Sequence, residues 1–335
     1  MAEVIKSIGT GKDYTTITAW EAASYGATAS DNAVGEVYGT VTESAGVVVD
    51  DTTPIDITLQ SVSTDRHTGT PGTGAKLVWD TAIAGATFWL TTGVALTIRW
   101  LDIDGGDLNH TLLLYTTGGG PHYIYGNLIH GQVSARSAAV RLLQSSGSAH
   151  KVHIWNNAIF DLSNSNSAPI GLNFDSGGVS SCYNNTVYNI TASGVYSSFG
   201  ISIRDDNDLT IKNNLVSNIT VTGSGTASCY SPSSLSLTTS ATNGGDDATS
   251  PDGAGYQNLT INYTSAIDFT PLATSSANVL SGGTDLGAVA NVDLKGRDRD
   301  AQGDTWSLGA IQYVAAGGGG SVPVMMSNYL RMMGC

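Results

Sequence analysis

Between residues 122 and 218 the apolar positions recur in one arrangement. Four segments align without gaps: His122-Tyr-Ile-Tyr-Gly-Asn-Leu-Ile-His-Gly131, Val152-His-Ile-Trp-Asn-Asn-Ala-Ile-Phe-Asp161, Ser180-Ser-Cys-Tyr-Asn-Asn-Thr-Val-Tyr-Asn189 and Leu209-Thr-Ile-Lys-Asn-Asn-Leu-Val-Ser-Asn218. Their starts lie 30, 28 and 29 residues apart, and a weaker copy, Leu96-Thr-Ile-Arg-Trp-Leu-Asp-Ile-Asp-Gly105, precedes them. A second apolar series, Val140-Arg-Leu-Leu, Leu172-Asn-Phe-Asp and Ile201-Ser-Ile-Arg, falls between the copies. Short alternating runs punctuated by Gly, Ser and Asn, with no helical period, predict strands. A fixed period of this length predicts an all-β solenoid whose coils bury a shared core by stacking.

The columns of that alignment assign the faces. Ile124, Ile154, Cys182 and Ile211 form one apolar column, and Ile129, Ile159, Val187 and Val216 another. Side chains alternate along a strand, so both columns point inward and Cys182 reads as a buried small hydrophobe. Between them stand Asn127, Asn157, Asn185 and Asn214, predicted to bond amide to amide from coil to coil. Asp161, Asn189 and Asn218 make a shorter polar column at the next bend.

A solenoid must cover its end strands. Residues 13–25 carry the one helical signature of the first third and are read as an N-terminal cap within a first unit, 1–90. The regular coils then occupy 91–221. Residues 222–257, rich in Gly, Ser, Thr and Asp, read as an excursion that breaks the repeat, and 258–315 as strands that close the domain. After them Ala315-Ala-Gly-Gly-Gly-Gly-Ser321 reads as a flexible linker. The tail beyond it holds four of the five methionines, and Val322, Met325, Met326, Tyr329, Leu330, Met332 and Met333 are its candidate docking side chains.

Composition narrows the partners. Among 335 residues, 14 Lys and Arg stand against 28 Asp and Glu, a net charge of −14. With no basic stripe, nucleic acid and anionic membrane are excluded as partners. No apolar run reaches the roughly 20 residues of a membrane span. The start, Met-Ala-Glu-Val-Ile-Lys-Ser-Ile-Gly, has no basic and apolar leader, so a secretion signal is not expected. The three cysteines and six histidines have no metal-ligand spacing, so neither metal nor cofactor is expected.

The Asn-Asn turn, the period and the inward Ile/Val columns resemble the right-handed parallel β-helix superfamily of pectate lyases and phage tailspikes. Ile8-Gly-Thr-Gly-Lys-Asp-Tyr-Thr-Thr-Ile-Thr-Ala-Trp-Glu-Ala22 is similar to the opening of such proteins, where a strand leads into a capping helix. Asp65-Arg-His-Thr-Gly-Thr with Gly74-Ala-Lys-Leu resembles a segment of phage and environmental β-helix proteins. Asp293-Leu-Lys-Gly-Arg-Asp-Arg299 followed by Trp306-Ser-Leu-Gly-Ala-Ile-Gln312 resembles their closing motif, with Ser307 and Gln312 standing where that motif carries acids. The resemblance covers about residues 1–315.

The resemblance implies three functions. The first is a non-catalytic structural protein of a phage virion, a head decoration, fibre or tail-associated component. It would be attached to capsid or tail proteins through 316–335 and assembled in the host cytoplasm, with homo-oligomerisation open. The second is a polysaccharide lyase or hydrolase, and the third a glycan-binding adhesin module. Paired carboxylates for glycoside cleavage stand about 5 Å or about 6.5–9.5 Å apart, distances that coils about 4.8 Å apart can supply. Candidates are Asp102, Asp104 and Asp107, and Asp175 with Arg204 and Asp205; the plain alternative is solvated acids at strand ends. Asp205-Asp-Asn-Asp208 reads as a turn and not as a calcium loop.

An outward column is the stronger candidate. If Ile124, Ile154 and Cys182 point in, then Arg99, Tyr125, Trp155, Tyr183 and Lys212 point out, flanked by Tyr123 and His153. His130, Phe160 and Tyr188 form the neighbouring column. Two readings stay open: a face that binds cell-surface glycan or protein, or an aromatic ladder that supports the sheet beneath a covering loop.

Overall fold

The computed structural model describes residues 2–50, 53–79, 87–90, 94–106, 110–116, 121–132, 138–144, 152–175, 179–204, 208–231, 239–302 and 305–315. It is a parallel β-solenoid of about six turns with about 29 residues per turn. Apart from one antiparallel hairpin, its described strands form three parallel sheets. The first runs Ala2–Ile8, Asp31–Val37, Asp56–Ser61, Ala95–Arg99, His122–Tyr125, Val152–Trp155, Val179–Tyr183, Asp208–Lys212 and Thr239–Ala241. The second runs from Thr40–Glu43 through Leu128–His130 and Ala158–Asn164 to Gly244–Gly245, and the third from Val48–Val49 to Ala227–Ser231.

The register follows the aligned columns. Ile98, Ile124, Ile154, Cys182 and Ile211 stack inward on the first face, and Ile103, Ile129, Ile159, Val187 and Val216 on the second. All of them are buried in one core. Burial pushes the Cys182 thiol up to about 12, so it packs as a hydrophobe.

The Asn-Asn pairs divide their work at the corner between these faces. The first member takes a left-handed backbone: Asn156, Asn184 and Asn213 have φ of 54°, 51° and 56°, a region that asparagine tolerates. The second member points inward. Nδ2 of Asn127, Asn157, Asn185 and Asn214 each donates to the Oδ1 of the next rung, at 2.8–3.0 Å. Each Oδ1 also accepts the preceding rung's backbone N–H, so the buried amides are satisfied along the axis.

That ladder corrects one boundary. The described residues within 222–257 continue the repeat: Ala227–Ser231, Thr239–Ala241 and Gly244–Gly245 extend the three sheets, and Asn243 is the next rung. The Gly/Ser-rich composition hides it because two of these strands are only two or three residues long. Carboxylates then stand in for a further coil. Asp252 Oδ2 accepts the N–H and Nδ2 of Asn243, Asp247 the N–H of Cys229, and Asp246 that of Asn218.

At the other end the helix is shorter than residues 13–25. It spans Ile17–Ala22, capped by Thr16, because Asp13 turns back to bind Ser7. Ile17 and Trp20 plug the core, and a Cβ on Gly35 would lie 2.8 Å from the Trp20 ring, so only glycine fits there. Lys6 stands in register with Gly35 and the buried Leu59, and a charge on that side of an edge strand discourages further stacking.

The described residues of 258–315 also differ from expectation. They add no strand to the three sheets. A hairpin of Tyr263–Ser265 and Asp268–Pro271, the helix Ala277–Ser281 and irregular backbone lie along the outside of the first two faces. The outward corner asparagines hold this strap. Asn156 Nδ2 donates to the Val292 carbonyl at 2.6 Å, Asn184 to that of Ala290 at 3.3 Å and Asn213 to that of Thr284 at 2.7 Å.

Candidate binding face

On the outside of the first face Glu36, Gln60, Arg99, Tyr125, Trp155, Tyr183 and Lys212 stand in register, as the alternation requires. Tyr125 and Trp155 stack with ring centroids 4.4 Å apart. Arg99 ties this aromatic stretch to the polar one, with Nε donating to Gln60 Oε1 at 2.7 Å and Nη1 to Tyr125 Oη at 2.7 Å. Gln60 in turn donates to Glu36. In the parallel column Tyr123 stacks on His153 at 5.3 Å, and His153 Nδ1 lies 2.7 Å from Ser181 Oγ. Burial raises the phenols of Tyr123 and Tyr183 above their ordinary value, so both stay neutral hydrogen-bonding groups.

The strap covers part of these outward columns. Trp155 is only 9% exposed, packed against Ala290 and Trp306. In the second column His130 stacks on Phe160, whose other side meets Phe269, while Tyr188 packs edge-on against Tyr263. Phe160 and Trp155 therefore belong to an internal ladder beneath a cover, and Tyr188 is half-buried in the same cluster. What stays half-exposed is Arg99, Tyr123, Tyr125, His153, Tyr183 and Lys212.

The candidate acids are engaged as well. Asp175 aligns with Arg204, as the period predicts, and lies between two guanidinium groups: Arg141 Nε at 2.6 Å and Arg204 Nε at 3.6 Å. Asp102 is fully buried, accepting from His130 Nε2 at 2.7 Å and from the Gly72 N–H at 2.6 Å. Burial would raise its carboxyl, but His130, the Gly72 N–H and Lys76 together hold it below its ordinary value. Asp104 pairs with Lys76 at 3.0 Å. Asp107, Asp205 and the tail residues 316–335 lie outside the described residues. Among the described residues no group of three His, Cys, Asp or Glu could hold a metal ion.

One element next to this face was legible only as a resemblance. Residues 62–75 link a first-face strand to a second-face strand and lean over the corners of the following coils. His67 is buried, its Nε2 donating to the Gly126 carbonyl at 2.8 Å and its Nδ1 accepting from the Gly69 N–H at 3.2 Å. Arg66 covers the Trp100 indole at 5.0 Å. Gly74 has a φ of 132°, and a Cβ there would lie 2.5 Å from the backbone nitrogen of His67, so glycine is required. No known protein family matches the chain, and no curated protein matches it.

Proposed function

We propose that the chain is a non-catalytic structural protein of a phage particle, a member of the right-handed parallel β-helix superfamily attached through residues 316–335. One observation carries this reading: among the described residues, the candidate side chains that a glycan-cleaving surface would need free are engaged in ion pairs or packing. Asp175 lies between Arg141 and Arg204, Asp102 is buried against His130, and Trp155 and Phe160 lie beneath the strap. Stacked coils with both ends covered suit a rigid element that carries load and orientation more than chemistry. The resemblance of 65–77 to phage β-helix segments points the same way. Two measurements test it. In light scattering the full chain forms assemblies that residues 1–315 do not, while 1–315 stays folded. Incubated with a panel of bacterial surface polysaccharides, the full chain releases no oligosaccharide. Cleavage of any member overturns the reading.

A second reading, glycan binding without cleavage, has its own support. The stacked Tyr123–His153 pair is half-exposed and bordered by Ser181, Tyr125 and Arg99, which offers an apolar ring face beside hydrogen-bonding groups. Such a face could anchor a particle to a cell surface.

A further inference from the structure

We propose that residues 62–75 form an acid-released latch, in which the neutral imidazole of His67 is the catch and the Trp100 and Asp102–His130 surface is what opening uncovers. Polar contacts tie the loop to the coils beside it. Asp65 accepts the Gly39 N–H at 2.6 Å at its base, His67 reaches the Gly126 carbonyl, and Gly72 donates to Asp102. Among the described residues the intervening Thr68 and Thr73 bond to each other and to Thr70, while Arg66 lies over the Trp100 ring and the His67 imidazole hydrogen-bonds the Gly126 carbonyl, so His67 is the titratable tie between the loop's middle and a distant coil.

Both ring nitrogens of His67 are committed, and only the neutral form satisfies both. Nε2 must carry the hydrogen that it gives to the Gly126 carbonyl, which leaves Nδ1 to accept from Gly69. A second proton on Nδ1 would face the Gly69 N–H, donor against donor, inside a buried site. The charges around the ring do not rescue it. Arg66 opposes protonation from the loop itself, and Asp102 favours it from the second face. Arg99 and Tyr125 act on Arg66 from the first face, and Lys295 of the strap lies against Gly69 at the loop tip. Burial outweighs the Gly126 hydrogen bond and the Asp102 charge and lowers the imidazole to about 4.

The sign follows from linkage. The closed loop binds the proton more weakly than the open one, whose exposed histidine titrates near 6.5. Closure is at full strength above about pH 6.5 and is lost as pH falls toward 4. Between pH 7 and pH 4.5 the opening equilibrium rises roughly 60-fold. Opening exposes Trp100, 7% exposed when covered, and frees one oxygen of Asp102 beside His130.

Hydrogen exchange on the full chain at pH 7 and pH 4.5, corrected for intrinsic rates, tests this. Amides of residues 68–74 are expected to lose protection by roughly 60-fold at the lower pH, while those of Val152–Trp155 keep theirs. In His67→Gln, whose amide can still donate to Gly126 but does not titrate, the loop keeps its protection at both pH values. Equal protection at both pH values in the unaltered chain, an equal loss in H67Q, or a joint loss at Val152–Trp155 overturns the latch. Should H67Q fail to fold, the ring resonances of His67 in the unaltered chain decide: titration near 6.5 under a protected loop overturns it, and titration in step with loss of protection upholds it.

Discussion

Arg299 and Gln312 meet in the sealed interior of the strap, the guanidinium Nη1 3.3 Å from the amide Oε1, a cation held by a neutral partner. The other acceptors are neutral too: the carbonyls of Gly309 and Ser307 and Oδ1 of Asn156, with the Trp306 ring 5.5 Å away. Burial lowers Arg299 to about 10, opposed by the more distant charge of Asp293, itself committed to Arg297. Gln312→Glu would supply a counter-ion and give up the amide's hydrogen bond to Thr305. A charge-assisted bond outweighs a neutral one, so a gain of about 1 kcal/mol is expected, a rise of roughly 2 °C in Tm. A fall in Tm would mean that the surrounding carbonyls, and not a missing acid, set the pocket.

Adjacent asparagines should respond very differently to substitution. Asn185→Gly removes a rung, leaving the Ile154 carbonyl and the Asn157 N–H unsatisfied in the core, and should cost about 3 kcal/mol or more. Asn184→Gly keeps the left-handed corner and loses one long bond to the Ala290 carbonyl, so a change within about 1 kcal/mol is expected. Chemical denaturation of the two variants side by side checks this, and equal losses would reject the division of labour within the pair.

Those pairs also show what the sequence could carry. Column spacing was enough to place Ile154 and Cys182 inward, Tyr125 and Trp155 outward, and Asp175 beside Arg204, because the strand period fixes direction. It could not reveal what lies over an outward side chain. Trp155 and Phe160 point out as expected, yet are covered by residues 130 or more positions away in the case of Ala290 and Trp306, and by Phe269. Nor could spacing find the outward role of Asn156, Asn184 and Asn213, since an asparagine that clasps a strap looks like one that merely turns a corner. Asn243 was missed for a simpler reason: its coil has almost no apolar strand to mark it.

Glu43 gives a pH test at the N-terminal end. It is 1% exposed and accepts from the Ile17 N–H and the Thr18 hydroxyl, and burial nonetheless raises its carboxyl above the ordinary value. A raised acid is taken up with its proton on folding, so its charge weakens the fold at neutral pH and that weakness fades as pH falls through the raised value. Glu43→Gln should melt at or above the parent temperature at pH 7, with the difference closing in mildly acid solution. A difference that widens on acidification would contradict the assignment.

The half-exposed ring pair and the covered tryptophan separate binding from folding. Tyr123→Ala should abolish at least tenfold of any glycan affinity, about 1.4 kcal/mol, with little change in Tm. Trp155→Ala should instead lower Tm strongly, by the 3–5 kcal/mol of a truncated buried aromatic, because it empties the contact with Trp306 and Ala290. If Tyr123→Ala binds a glycan panel as the parent does, the first face is not a sugar platform.

The strap also works as a measuring gauge. A ladder that repeats from coil to coil has no intrinsic stopping point, and duplication of one unit would leave every inward column intact. The strap has no such freedom: its carbonyls at Thr284, Ala290 and Val292 are spaced to meet three successive corners at Asn213, Asn184 and Asn156. It runs against the direction of coil growth, so a coil inserted among those corners would leave one clasp empty and pull Trp306 away from Trp155. Variation in the length of this molecule is therefore tolerated toward its N-terminal coils and penalised beneath the strap.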